Sequence, residues 1–330
     1  MSARYDFIAI GDTVTDAFIR LSDVTAHVDI DHGAKEICFH FGDKVPYESV
    51  TVVPGVGNSA NAASAAARLG LKTAFVSNVG DDDDGKEIIG ALSAEGMDTR
   101  FIKVNPGKKT NYHYVLWFHD DRTILIKHEK FDYEMPDVGS PKWLYLSSAG
   151  ENSLPMHNTI ADYLESHKNI KLAFQPGTYQ IKFGAEALSR IYKHTEIFFC
   201  NRDEAQRILN TKEDDIKKLI FSIHALGPKM VCITDGPAGA YASDGSTIWQ
   251  MPIYPDPKPP LSRTGAGDAF SSTITAALAL GNDLKTALTW GPVNSMSVVQ
   301  QIGARAGLLS RSQLEKYLAE APADYEPKLL

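Results

Sequence analysis

Cysteine is scarce in this chain and nowhere clustered: Cys38, Cys200 and Cys232 stand far apart in apolar surroundings. No CxxC spacing and no adjacent histidine pair accompany them, so neither a zinc site nor a disulfide framework is supported. Positive charge is short as well. The 33 Lys and Arg face 41 Asp and Glu, a net charge of −8 with no basic stripe, which argues against nucleic acid or an anionic membrane as partner. No apolar run reaches the length of a membrane span, and the first residues lead into a short strand without a signal-peptide core. A reduced, cytoplasmic setting is therefore expected. Internal repeats, low-complexity tracts and linkers are missing too. No G-x-G-x-x-G follows the first apolar run, Phe7 to Ile10, which discounts a nucleotide-dependent dehydrogenase. What remains is 330 residues with 43% hydrophobic content, enough to bury the core of one large α/β domain or of a domain with an appendage.

The stretch around which the chain is organised is Thr264-Gly265-Ala266-Gly267-Asp268-Ala269-Phe270. It follows a proline-rich run and opens into an apolar segment closed by Gly281, the layout of a loop feeding a helix N-terminus. Gly265 and Gly267 remove side chains where free backbone N–H groups point outward, so an anion can come close to the main chain. Asp268 adds a carboxylate in the first turn. A base beside a phosphate cradle suits phosphoryl transfer, although glycine-rich turns and first-turn aspartates are also ordinary helix starts.

The rest of the chain supplies partners for that turn. Phe7 to Ile10 reads as a buried strand ended by Gly11-Asp12, with Asp16 four residues on; by spacing alone a solvated carboxylate pair explains these two aspartates as well. Gly57-Asn58-Ser59-Ala60-Asn61 opens an Ala-rich helix that Asn58 or Ser59 can cap and Gly70 can end. A cap accounts for Asn58, but helix propensity disfavours a second amide at Asn61, and two amides three residues apart suit sugar hydroxyls. Four aspartates at 81–84 are explained by the dipole of the helix they precede. Short apolar strands at Trp143–Leu146, Leu172–Phe174, Ile197–Cys200 and Met230–Ile233, separated by helical segments, mark a parallel sheet covered on both faces. Their ends, among them Gln175-Pro176-Gly177, Asn201-Arg202-Asp203-Glu204 and Thr234-Asp235-Gly236, should converge on one crevice. Two β-rich blocks interrupt the pattern. One, between residues 18 and 53, includes strands at Ile37–Phe41 and Ser49–Val53; the other runs from Asn111 to Lys127 with a turn at Asp120-Asp121. The two blocks could pair into one small sheet.

In this order, these blocks resemble the ribokinase-like (PfkB-type) carbohydrate kinase family over nearly the whole chain. The resemblance rests on Gly11-Asp12 with Asp16, Gly57 to Ala63, Asn201 to Glu204, Thr234 to Ala240, and Thr264 to Asp268. It implies a three-layer α/β/α sandwich with a mostly parallel central sheet, one domain over 1–330 with lid segments at about 18–53 and 109–128. It also implies an ATP-dependent transfer to a sugar hydroxyl, with Asp268 as general base and Gly265, Ala266 and Gly267 as anion hole. Asp12, Asp16, Gly57, Asn58 and Asn61 would hold the sugar. Asn201, Thr234, Gly236, Gly239 and Asn294 would border the nucleotide, and Glu204 would order Mg2+, mainly through water. The lid would exclude water and pair two subunits as a homodimer. A nucleoside kinase of the same fold, or a silent sugar- or nucleotide-binding regulator, shares many of these features. Two departures stand out. Val56-Gly57 replaces the family's Gly-Gly, and Ser262-Arg263 stands where an Asp commonly helps build a monovalent-cation site, which argues against potassium activation.

Overall fold

The computed structural model describes residues 5–22, 27–31, 34–118 and 121–330. Its largest element is a ten-stranded sheet in which Phe7–Ile10 lies between Trp143–Leu146 and Thr73–Gly80, paired parallel to both. Parallel pairing continues outward to Ile102–Asn105 on one side and through Lys171–Phe174 and Thr195–Asn201 to Met230–Thr234 on the other. Beyond Met230–Thr234 the sheet finishes with antiparallel strands Ala240–Ser243, Ile248–Met251 and Lys328–Leu329. Alternation explains why the central strands are apolar throughout. Phe7, Ala9, Trp143 and Tyr145 join one core cluster, while Ile8, Ile10, Leu144 and Leu146 join another on the opposite face. Helices Asn58–Arg68, Ala266–Ala279 and Leu284–Val298 cover the first face; Leu154–Ser166, Arg202–Leu209 and Ile216–His224 cover the second. The result is three layers. Among the described residues, no helix is long and apolar enough to cross a membrane.

A separate four-stranded sheet has the order Ser49–Val56, Val14–Arg20, Tyr112–Phe118, Asp121–Leu125. The two β-rich blocks do pair, through a parallel contact between Val14–Arg20 and Tyr112–Phe118. Two expectations need correcting. The strand expected at Ile37–Phe41 ends at Cys38, in a hairpin His27–Asp31/Ala34–Cys38 that pairs only with itself among the described residues, and Phe39 and Phe41 lie beyond it, exposed. The helix Asn58–Arg68 is capped by the backbone of Gly57 with no side-chain cap; Ser59 Oγ donates instead to Ile10 O at 2.8 Å. Of the expected turn Asp120-Asp121, Asp120 lies outside the described residues. One buried ion pair ties the small sheet to the body. Arg305, 7% exposed, reaches Glu95 Oε1 at 2.7 Å and Pro54 O at 2.5 Å.

Candidate active site

Gly265 is the N-cap of helix Ala266–Ala279 and takes φ +83°, a conformation that disfavours any side chain. A Cβ there would also collide with Ala304. Gly265 is thus required by the fold. Gly267 is not: its φ is ordinary for a helix, and a Cβ would meet nothing within 4 Å. The bare main chain at Gly267 leaves the first-turn N–H groups approachable from a cleft of about 410 Å³. Thr234, Gly236 and Gly239 line that cleft opposite Ala266 and Gly267.

On the other side of this helix start lies Asp268. Its Oδ1 accepts hydrogen bonds from Asn58 Nδ2 at 2.9 Å and Gln175 Nε2 at 3.1 Å, and its Oδ2 accepts from Asn61 Nδ2 at 2.8 Å. Burial pushes the carboxyl above its usual range, and the three amide donors pull against that shift. Gln175 cannot turn away easily, because the Tyr145 hydroxyl and Ser271 Oγ both crowd its Oε1 and leave Nε2 aimed at Asp268. Ser271 also donates to Gly267 O at 2.8 Å, which couples this network to the turn.

Asp12 follows the strand Phe7–Ile10 and is 5% exposed. Its carboxylate accepts from Tyr133 Oη at 2.8 and 3.0 Å and lies 3.3 Å from His128 Nδ1. Gly57, at φ +115°, passes so close that a Cβ would lie 2.9 Å from Asp12 O, so the Asn58–Asn61 turn sits directly against Asp12. Asp16 comes from the small sheet and is 8% exposed. Asn61 Oδ1 is a buried acceptor without a hydrogen-bond donor among the described residues, and Asp16 Oδ1 has only His113 Nδ1 near it, at 3.3 Å. An unpartnered buried oxygen is costly unless a ligand hydroxyl meets it.

Asn201 and Glu204 form a capping box: Asn201 Oδ1 accepts from Glu204 N at 2.8 Å, and Glu204 Oε2 accepts from Asn201 N at 2.9 Å. Burial raises the Glu204 carboxyl, and the negative charge of Asp268 adds to the shift. Asn294 does not join the cleft. It is fully buried, with Nδ2 donating to Thr273 Oγ1 at 2.8 Å and Oδ1 accepting from Leu309 N at 3.0 Å. One residue along a helix turns the side chain by about 100°, so Ser295 and Met296 line the cleft while Asn294 braces the helices. At the departure upstream of the turn, Ser262 Oγ bonds Thr264 Oγ1 at 3.1 Å, and Arg263 lines the cleft.

Gln175, Tyr133, His113 and His128 were not singled out from sequence. Gln175 had a signal in its position at the carboxyl end of a core strand. His113 sits between Tyr112 and Tyr114, whose aromatic alternation drew attention to the opposite face.

Residues 23–311 match the family model for pfkB family carbohydrate kinases. The chain is 29% identical over 286 residues to the ribokinase of Bacillus subtilis, covering 84% of this chain and 92% of that protein. To the cytidine kinase of Thermococcus kodakarensis it is 28% identical over 291 residues, covering 85% and 96%. Among solved structures, Arabidopsis thaliana ribokinase complexed with ribose and ATP shares the fold with a TM-score of 0.79 at 19% identity, covering 96% of this chain and 99% of that one.

Proposed function

The chain belongs to the pfkB family of carbohydrate kinases, and we propose that it transfers the terminal phosphoryl group of ATP to a hydroxyl of a sugar or nucleoside, with Asp268 as general base. The observation that carries this reading is the Asp268 carboxylate itself. Three amides hold it in one orientation, and it sits in the first turn of a helix whose bare Gly267, next to it in the chain, faces a cleft. A hydroxyl placed against Asp268 would have a base within hydrogen-bond reach and an anion hole alongside, at Gly265, Ala266 and Gly267. Asp12, Asp16, Gly57, Asn58 and Asn61 form the acceptor side. The unpartnered Asn61 Oδ1 suits a hydroxyl donor. Asn201, Thr234, Gly236 and Gly239 belong to the nucleotide side.

Magnesium in this reading would sit beside Glu204: burial raises that carboxyl, the Asp268 charge adds to the shift, and a nearby cation would relieve it, while Mg2+ needs few direct protein ligands because it keeps several waters. When bound, it would neutralise charge on the phosphate oxygens, with Glu204 holding it through water. Ser262 offers no carboxylate for a monovalent cation, and the reading includes none.

The small sheet is the lid of a single domain in this reading, and its outer face meets a second copy of the chain. Val52, Tyr114 and Leu125 lie in one cross-strand row through Ala17, at 47%, 50% and 52% exposure, a dry patch that a symmetric partner would cover.

The test is ADP formation from ATP and Mg2+ with D-ribose, D-fructose and cytidine in parallel. Turnover with at least one acceptor is expected. No turnover with any sugar or nucleoside, while ATP still binds, would leave a binding protein in place of an enzyme.

A further inference from the structure

We propose that His113 and His128 are positioning residues of the acceptor site, joining Asp16 on the small sheet to Asp12 beside the main sheet through one shared proton. This rests on reading Asp12 and Asp16 as part of the acceptor clamp.

The four side chains form a line. Asp16 and His113 are direct register partners on adjacent strands, with His113 Nδ1 3.3 Å from Asp16 Oδ1. His113 Nε2 then lies 3.2 Å from His128 Nε2, the rings 5.1 Å apart and tilted by 47°. His128 Nδ1 in turn lies 3.3 Å from Asp12 Oδ2. Their side chains are between 5% and 19% exposed, so water is poorly placed to substitute for any member.

Counting protons assigns the line. Two imidazole nitrogens at 3.2 Å attract only if one carries hydrogen and the other does not. His128 Nδ1 faces a carboxylate and donates to it. His113 Nδ1 lies 3.3 Å from Asp16 Oδ1, which accepts from no other group among the described residues, and a bare nitrogen there would set a lone pair against a buried negative charge. With both Nδ1 atoms protonated, a single further proton lies between the two Nε2 atoms and belongs to the pair, not to either ring. Removing the proton turns two lone pairs toward each other between two carboxylates. Adding a second sets two N–H groups head to head. Either change drives the small sheet away from Asp12.

The other groups around the line do not replace this proton. Tyr133 donates to Asp12 and accepts from Gly150 N at 3.0 Å; burial and the Asp12 charge hold its phenol protonated. The Tyr179 ring meets His128 edge-on at 6.2 Å, and the ion pair of Lys127 with Glu129 flanks His128 in the chain. A proton shared between two elements is thus built into the wall that would grip the acceptor.

Two readouts on the full-length protein test this. In imidazole NMR from about pH 5 to about pH 9, the two rings are expected to titrate as a coupled pair, and His128→Gln is expected to alter the titration of His113. Independent titrations, unmoved by substitution of the other ring, would overturn the proposal. In steady-state kinetics with D-ribose and cytidine, His113→Gln and His128→Gln are each expected to raise the acceptor KM about tenfold or more, the size of a lost hydrogen bond to a charged group, with kcat little changed and the pH dependence of KM flattened. A fall in kcat at constant KM would also overturn it. If neither acceptor is turned over by the unsubstituted protein, the kinase reading fails at that point, while the NMR titration still decides the histidine pair.

Discussion

The start of helix Ala266–Ala279 and the small sheet are built on opposite plans. At the helix start every polar side chain that matters is answered from the interior: Asp268 by three amides, Gln175 by Tyr145, Ser271 by Gly267 O. The small sheet keeps apolar side chains on an outer face and is tied to the body at its edges, by Arg305 at one end and the His128–Asp12 contact at another. A fixed reaction centre beside a separate small sheet suits phosphoryl transfer, which demands fixed geometry while the acceptor must enter and leave.

The comparison can be broken at its anchors. Arg305→Met removes the cation that holds both Glu95 and Pro54 O, and loss of one partner from a buried pair costs about 3–5 kcal/mol. The lower end of that range is expected, since Arg68 still lies 3.5 Å from Glu95. Denaturant unfolding measures it, and a change below about 1 kcal/mol would show that Arg305 is no anchor. Gly267→Ala should leave stability nearly untouched, because a Cβ there meets no atom within 4 Å outside its own helix backbone, yet lower turnover by about 10²-fold or more by crowding the anion hole. Unfolding and rate measured on the same sample separate the two effects; full activity would remove Gly267 from the site. Val52→Asp should act least on the chain itself. At 47% exposure it leaves monomer stability within about 0.5 kcal/mol but sets like charges across a symmetric interface. Sedimentation should show a dimer become a monomer, and a monomer before substitution would refute the assembly.

Much of this was legible in the sequence, for reasons that differ by region. The central strands announce themselves because both faces are buried, leaving four-residue runs such as Phe7–Ile10 with no polar member. Asn61 drew attention because an amide in an Ala-rich helix has no reason of its own to be there, and its Nδ2 does meet Asp268 Oδ2. Asn294 misled for the converse reason: a polar residue near a cleft can be satisfied wholly within the core, and only the bonds to Thr273 and Leu309 reveal it. The histidine pair was hidden because its partners lie far away in the chain, His128 being 116 residues from Asp12. The strand expected at Ile37–Phe41 was drawn too long because Phe39 and Phe41 are apolar, yet both lie exposed beyond its end at Cys38.

The most direct test of the central claim is Asp268→Asn, followed by turnover across pH and by calorimetric binding of ATP. Burial holds the Asp268 carboxyl above its usual range, so the rate should fall with decreasing pH at a higher point than an ordinary aspartate would give. With its folded-state value above the unfolded one, protonation favours the folded state; the ionised base costs stability at neutral pH, and that cost lifts as pH falls through the raised value. The account predicts a loss of about 10²–10⁴-fold in kcat in the asparagine variant, disappearance of the acidic limb, and ATP binding retained. Turnover and acidic limb unchanged in that variant would contradict it.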